Sequence, residues 1–280
     1  MNTQQKTNIS AALKQLANKS SQAALAQQSG VSTAMISQMI NQKWQLISIE
    51  MWRKVMKSFN IASDWATAET TNFRILNQLL NAAKTKSISI CIAHDAGAGK
   101  SHTYKHFNHT NKDVMYLECK NYWSKKAYVR HLLLSVVVAM DATTEMMIEN
   151  YINIVRRMEQ PLLVIDQVDK LKDPQLDLFM DLYNELDGHC GFVLSGVPAL
   201  KKRILKGVQR DKIGYRELYS RIGRKFIELD ALKLQDVIAV CQVNGITDEQ
   251  FTQDVYMQSS GDLRRVKRAI DQYFLLKKAA

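Results

Sequence analysis

Hydrophobic residues change their period along this chain, and the changes divide it. From Gln22 to Asn41 the sequence QAALAQQSGVSTAMISQMIN sets Leu25, Ala26, Val31, Ile36 and Met39 at the apolar positions of two short helices, with Gly30 in the turn between them. Ser32 stands where the second helix needs an N-cap. Further on, short apolar runs at 88–93, 114–119, 162–165, 192–195 and 226–229 predict five strands. Helical stretches separate them, such as 141–160, where Ile148, Tyr151, Ile152, Val155 and Met158 make one apolar stripe. Continuous apolar strands alternating with helices predict an α/β fold, a parallel sheet sandwiched by helices. After Leu229 the strands stop, and two or three helices ending in Phe274-Leu275-Leu276 predict a small α-helical lid. The expected domains are therefore an all-α domain over 1–65, the sheet domain over 66–228 and the lid over 229–280, with 65–72 as a connector or the start of a helix.

At 280 residues the chain can bury a large core in more than one domain. No apolar run reaches bilayer length and no charged-then-apolar leader is present, so a cytoplasmic protein without a membrane partner is expected. The four cysteines have no paired spacing, which predicts neither disulfides nor a zinc site. The net charge of +11 is uneven: residues 1–65 carry seven bases against two acids, 66–228 carry 24 against 18, and 229–280 balance. Residues 201–225 alone hold ten bases against two acids. Two basic regions point to a polyanionic partner, most simply double-stranded DNA, the alternative being a solvated surface.

The chemistry concentrates after the first strand. The run ISICI leads into AHDAGAGKS, residues 93–101, the pattern of a P-loop. Gly97 and Gly99 leave backbone N–H groups free to cradle the phosphates of ATP, Lys100 reaches the outer ones, and Ser101 can ligate Mg²⁺ at the start of a helix. Asp95, Ala96, Ala98 and His102 complete the candidate nucleotide site, and His94 stands where the pattern usually begins with glycine. In LLVIDQ, residues 162–167, four apolar residues end on Asp166, which would hold Mg²⁺ beside Ser101. The gap between Lys100 and Asp166 leaves room for one intervening strand. The next residue is Gln167, where many ATPases of this build carry a catalytic glutamate. An amide can orient water but is a very poor base, so ATP hydrolysis is expected to be slow or blocked. Asp169 is a second, more distant acid.

The two N-terminal helices resemble the helix-turn-helix of the lambda Cro and repressor family. That resemblance puts Ser32, Thr33, Ala34, Ser37, Gln38 and Asn41 on the face that enters the major groove, with Lys43 near the phosphates. A helical hairpin used only for protein contact is the alternative. The order helix-turn-helix, P-loop, Asp166-x-x-Asp169-x-Leu171, Leu218-Tyr219-Ser220-Arg221-Ile222 and Gly261-Asp262-Leu263-Arg264 resembles the AAA+ ATPases of the IstB and TnsC type. The resemblance implies a DNA-binding ATPase that forms homo-oligomers, a helical filament or ring, on duplex DNA with little sequence preference. It would select transposition targets and stimulate a transposase. It makes Arg221 an arginine finger toward a neighbouring subunit and Arg264 a sensor in its own. At the first sensor the family usually has Asn or Thr, and here only Ser195 is polar. Lys120, Lys125 and Lys126 after the second strand, with Arg156 and Arg157, are further candidate DNA contacts. Two other readings stay open: a DnaC-like loader of a replicative helicase, and a transcriptional regulator whose ATPase site has decayed into a nucleotide sensor.

Overall fold

The computed structural model describes residues 3–59, 61, 65–136 and 142–279. Asp141, where the predicted 141–160 helix begins, lies outside the described residues, as do Asn60 and 62–64 beside the predicted border at 65. The chain divides into two compact units, Met1–Ala66 with His109–Lys112, and Thr67–Asn108 with Asp113–Ala280.

The first unit is built on four helices, α1 (Thr3–Lys19), α2 (Gln22–Ser29), α3 (Thr33–Ile40) and α4 (Ile49–Phe59). The Ser21 hydroxyl accepts from Ala24 N to cap α2, and Gly30 ends that helix at φ +63°. Ser32 accepts from Met35 N at 3.2 Å and caps α3. Leu25, Ala26, Ile36 and Met39 are buried, packed with Ile9 and Leu13 of α1 and with Trp52 and Val55 of α4. Neither α1 nor α4 was set out from the sequence pattern. The Ser10 hydroxyl donates to the Met39 carbonyl at 2.6 Å, tying α1 to the end of α3.

In the second unit the strands are β1 (Ser89–Ala93), β2 (Val114–Glu118), β3 (Leu162–Asp166), β4 (Gly191–Gly196) and β5 (Phe226–Ile227). They pair in parallel in the order β2-β3-β4-β1-β5. Alternate residues of each strand serve opposite faces. Leu162, Val164 and Val193 pack against Leu76 and Leu80 of α5 (Thr71–Thr85) and Tyr104 and Phe107 of α6 (Lys100–Thr110). Leu163, Ile165, Phe192 and Leu194 pack on the other side. That side is covered by α7 (Lys125–Leu134), α8 (Thr144–Val155), α9 (Asp173–Leu186), α10 (Pro198–Gln209) and α11 (Tyr215–Arg221). The sequence pattern expected this α/β sandwich, and a sheet buried on both faces is why its strands read as unbroken apolar runs.

Two elements are shorter than their patterns. The helix expected over 141–160 runs only from Thr144 to Val155. Beyond it Arg157 N and Met158 N donate to Ile154 and Val155 carbonyls in tight turns, and Gln160 takes φ +50° before Pro161. A residue preceding proline is disfavoured in helical conformation, so the apolar stripe outlasts the helix. The strand expected over 226–229 pairs for two residues, because Leu229 N donates to the His94 ring instead of the ladder. Three helices follow, α12 (Leu234–Val243), α13 (Glu249–Ser259) and α14 (Leu263–Ala279). Buried Asp236 accepts from Lys233 N at the start of α12 and from Thr71 N at 2.6 Å. Asn72 exchanges two hydrogen bonds with the Asp230 backbone, so the starts of α5 and α12 are fastened together. No described helix is long and apolar enough to cross a membrane.

Gly191 opens β4 where the end of α5 passes: a Cβ there would lie 2.2 Å from the Ala83 carbonyl oxygen. Backbone cannot yield as a side chain does. Gly191→Ala is therefore expected to destabilise the second unit by about 1–3 kcal/mol, seen as a lower melting midpoint. An unchanged midpoint would mean that α5 shifts freely off the sheet.

Candidate functional site

Chain leaving β1 turns through Gly97 at φ +91° and Gly99 at φ +86° before α6 starts at Lys100. That backbone is open to glycine and strained for other residues. The first N–H groups of α6 have no partner inside the helix and face the loop. Lys100 is nearly buried, and its ammonium donates to the carbonyls of His94 (2.5 Å) and Asp95 (2.8 Å), spanning the turn. Burial pushes its pKa below the ordinary lysine value. Asp166, Asp95 and Asp169 oppose that shift, and Arg264 adds to it. Asp95 and Ala96 are exposed and Ala98 is buried. A Cβ on Gly97 would strike the Asp262 carboxylate at 2.2 Å, and Leu263 N donates to the Gly97 carbonyl at 3.0 Å, so the start of α14 lies on the loop. His94 takes the place of the usual glycine with a task of its own: its Nδ1 accepts from Leu229 N at 3.2 Å. His102 Nε2 lies 3.0 Å from the Thr67 hydroxyl. A positive-φ glycine cradle, a helix N-terminus and a spanning lysine together fit a polyphosphate.

At the end of β3, Asp166 is 1% exposed. Its Oδ2 accepts from the hydroxyls of Ser101 (2.5 Å) and Tyr116 (3.2 Å), and its Oδ1 from Gln167 N (2.9 Å). A serine hydroxyl and a carboxylate in contact form the oxygen pair that Mg²⁺ takes beside a phosphate. Gln167 sits at φ +58° with both ends of its amide engaged. Nε2 donates to Glu118 Oε1 at 3.2 Å, and Oε1 accepts from the Lys170 ammonium. Glu118 ends β2 directly opposite Asp166 in the ladder and pairs with Lys120 (2.6 Å) and Lys105 (2.9 Å). Burial raises its pKa, but the hydrogen bonds and charges of Lys120 and Lys105 outweigh that and pull it down to about 2. Asp169 is turned elsewhere, its carboxylate accepting from Val197 N at 3.2 Å.

The remaining candidates lie in varied settings. Ser195 is wholly buried and accepts from the Tyr104 hydroxyl at 3.1 Å. Arg264 is exposed, 3.7 Å from Asp262. Arg221 lies over the Tyr183 ring and donates to Asn184 Oδ1 at 3.0 Å, so its partners belong to α9 and α11 rather than to the loop. Lys125 and Lys126 are exposed in the first turn of α7, which Ser124 caps. Arg156 and Arg157 are both exposed, and Arg156 pairs with Glu185 at 2.7 Å. In the first unit Thr33, Asn41 and Lys43 are exposed and Ser37 and Gln38 half-buried, with Asn41 donating to the Ser37 hydroxyl at 3.2 Å.

A family model described as AAA domain matches residues 70–204, from the start of α5 into α10. This segment, just under half of the chain, is similar to AAA domains. Among solved structures, the chain is similar to the Orc1 protein of Aeropyrum pernix in complex with DNA. Identity is 13%, 74% of this chain and 59% of that one are covered, and the TM-score is 0.53. It is also similar to NtrX of Brucella abortus in complex with ATP, at 12% identity over 88% of this chain and 60% of that one, with a TM-score of 0.50. These likenesses concern the fold, that of P-loop AAA+ ATPases, and this chain spans about six-tenths of those chains' length. No curated protein sequence matches it.

Of the residues singled out from the sequence, the structure brings together Lys100, Ser101, Asp166 and Gln167. It adds Glu118 and Tyr116 beside them, and it sets Asp262, named only as part of the 261–264 motif, against Gly97. Glu118 and Tyr116 carry no motif. Their place follows from β2–β3 register, for which the only signal was two acids at the ends of neighbouring apolar runs.

Four histidines of this unit are pushed below their ordinary value of 6.5, each chiefly by burial. Lys100 adds to the effect at His94, His106 at His102 and Arg130 at His131. The unfolded chain then binds protons that the folded one resists, so their contribution to stability is whole above pH 6.5 and falls as pH drops below it. The melting temperature should decline between pH 7 and pH 5, and less steeply in His94→Gln. A flat profile across that window would contradict the assignment.

Proposed function

We propose that the protein is an ATP-binding, DNA-binding AAA+ ATPase that assembles on duplex DNA and presents it as a target to a transposase. The observation that carries the nucleotide part is the glycine cradle spanned by Lys100 beside the buried Ser101–Asp166 pair. In this reading Asp95, Ala96, Gly97, Ala98, Gly99 and His102 line the nucleotide site, and Ser101 and Asp166 hold Mg²⁺. ATP and DNA are the ligands of the NtrX and Orc1 structures named above. The finer reading rests on the motif order shared with the B transposition protein of phage Mu and the IstB and TnsC-type ATPases.

The DNA contacts divide by chemistry. Thr33, Ser37, Gln38 and Asn41 on α3 are short polar groups suited to base edges, with Lys43 for a phosphate. Lys125 and Lys126 stand in the first turn of α7, where the helix dipole disfavours cations. An arrangement that costs stability is consistent with phosphate contact. Lys120, Arg156 and Arg157 complete the set, the first two already holding acids.

Assembly follows if Arg221 completes a neighbour's site while Arg264 acts in its own. ATP with duplex DNA should then convert the protein to rings or filaments, visible by electron microscopy and sedimentation. Lys100→Ala should prevent this, since losing hydrogen bonds to a charged ligand weakens ATP binding about 10–100-fold. A monomer under ATP, Mg²⁺ and DNA together would sink the proposal.

Gln167 governs turnover. Without a carboxylate at that position, proton removal from the attacking water loses a factor of about 10²–10⁴. Gln167→Glu should raise hydrolysis, but the new carboxylate would stand beside Glu118 and be partly protonated by like-charge repulsion. The reciprocal swap Glu118→Gln/Gln167→Glu keeps one amide and one carboxylate in the pair and should hydrolyse faster than Gln167→Glu alone. Equal rates for native and both variants, measured by phosphate release, would show that neither position supplies the base.

The double engagement of Gln167 also suits a second reading, a nucleotide-sensing regulator that does not hydrolyse ATP. A sequence-specific footprint without assembly would favour it. A helicase partner in place of a transposase would favour the DnaC-like reading.

A further inference from the structure

α10 and α11 border an open cavity of about 490 Å³ lined by five bases and a single acid. The acid, Asp173, is fully engaged: it accepts from Arg203 (2.6 Å), from the Tyr215 hydroxyl (2.8 Å) and from the Lys212 ammonium. Arg203 is engaged as well, with the Leu171 carbonyl at 2.5 Å and the Tyr215 oxygen at 2.9 Å. These groups make a paired floor that keeps a net charge of +1, and it is rigidly set. Gly207 lies buried in α10 where a Cβ would meet the Tyr215 ring at 2.3 Å, so only glycine lets the ring seat there.

Three cations of the cavity are left over. Lys202, Lys206 and Arg210 are all exposed, and none of them has a counter-ion among the described residues. Their neighbours differ: Lys201 pairs with Glu228 at 2.7 Å and Arg216 with Asp211 at 2.8 Å. The three recur at intervals of four residues, which sets them in one stripe over about 12 Å of helix. Like charges at that spacing destabilise a helix by themselves. A bound polyanion removes the repulsion.

We propose that this stripe is a phosphate-binding surface for the backbone of duplex DNA, separate from the α3 face and the α7 lysines. The stripe is longer than one phosphate group, so its three charges serve a chain of phosphodiesters better than a free anion. Exposed cations spaced along a stripe follow the regular run of phosphates, so the surface adds affinity with little sequence preference. The proposal rests on the DNA-binding reading above.

Its test is the full-length variant Lys202→Ala/Lys206→Ala/Arg210→Ala. Affinity for two unrelated duplexes is followed by fluorescence anisotropy between 50 and 200 mM salt, roughly the range over which counterion release is best resolved. The slope of log K against log salt should become shallower by about 0.9 for each phosphate no longer neutralised, about two to three in all, equally for both duplexes. The melting temperature and ATP-driven assembly should be retained. A native slope in the variant overturns the proposal while leaving DNA binding intact. Loss of assembly with an unchanged slope also overturns it, placing the stripe against a neighbouring copy. Inorganic phosphate bound by the native protein but not by the variant, with the slope unchanged, overturns it in favour of a small-anion site. A native protein that binds neither duplex fails the DNA reading itself and this proposal with it.

Discussion

The buried carboxylate of Asp166 is the constraint around which the second unit is arranged. Taking such a group out of water costs several kcal/mol unless donors replace the solvent. Here the donors come from three places: the Ser101 hydroxyl at the start of α6, the Tyr116 hydroxyl on β2, and the Gln167 N–H in the turn after β3. Meeting that need fixes where α6 begins relative to the sheet and how β2 aligns with β3. The same oxygens that satisfy the carboxylate surround the place a metal would take. The stability of the unit and the chemistry of its site therefore rest on one group.

Outward from Asp166 runs a chain of alternating partners, Lys170 to Gln167 to Glu118 to Lys120 and Lys105. An amide fits between a cation and a carboxylate because it offers an acceptor to one and donors to the other. A glutamate at 167 would keep Lys170 and repel Glu118. Glutamine at this position is thus consistent with its surroundings, and the acid that families of this build place after the aspartate is matched here by one on the neighbouring strand. With two lysines holding its pKa near 2, Glu118 is better suited to fixing the amide than to taking a proton.

What the sequence made legible follows from burial and backbone. Five strands were readable because both sheet faces are covered, and the phosphate loop because Gly97 and Gly99 meet a conformational demand that few other residues can. Helix ends were less legible: the apolar stripe of α8 continues past Val155, but Gln160 and Pro161 end the helix. β5 was overestimated because a histidine ring, distant in sequence, captures the Leu229 N–H. Glu118 and Gln167 are 49 residues apart and meet only through strand register. Gly191 and Gly207 look like ordinary glycines until the backbone of α5 and the ring of Tyr215 are found against them.

Charge shows the same division between composition and structure. A count of bases treats Lys120, Arg156, Lys125 and Lys206 alike, yet the first two face acids and the last two do not. Exposed pairs contribute only about 0–1 kcal/mol, so a polyanion competes for paired cations with little loss and for unpaired ones with none. The excess of bases in 201–225 is therefore partly framework: Arg203 and Lys212 hold Asp173, and Arg216 holds Asp211. Lys202, Lys206 and Arg210 remain for something outside the chain. In the proposed reading, cations that track phosphates would recognise any duplex and the hydroxyl and amide groups of α3 would distinguish bases. The protein would then hold DNA first and read it second.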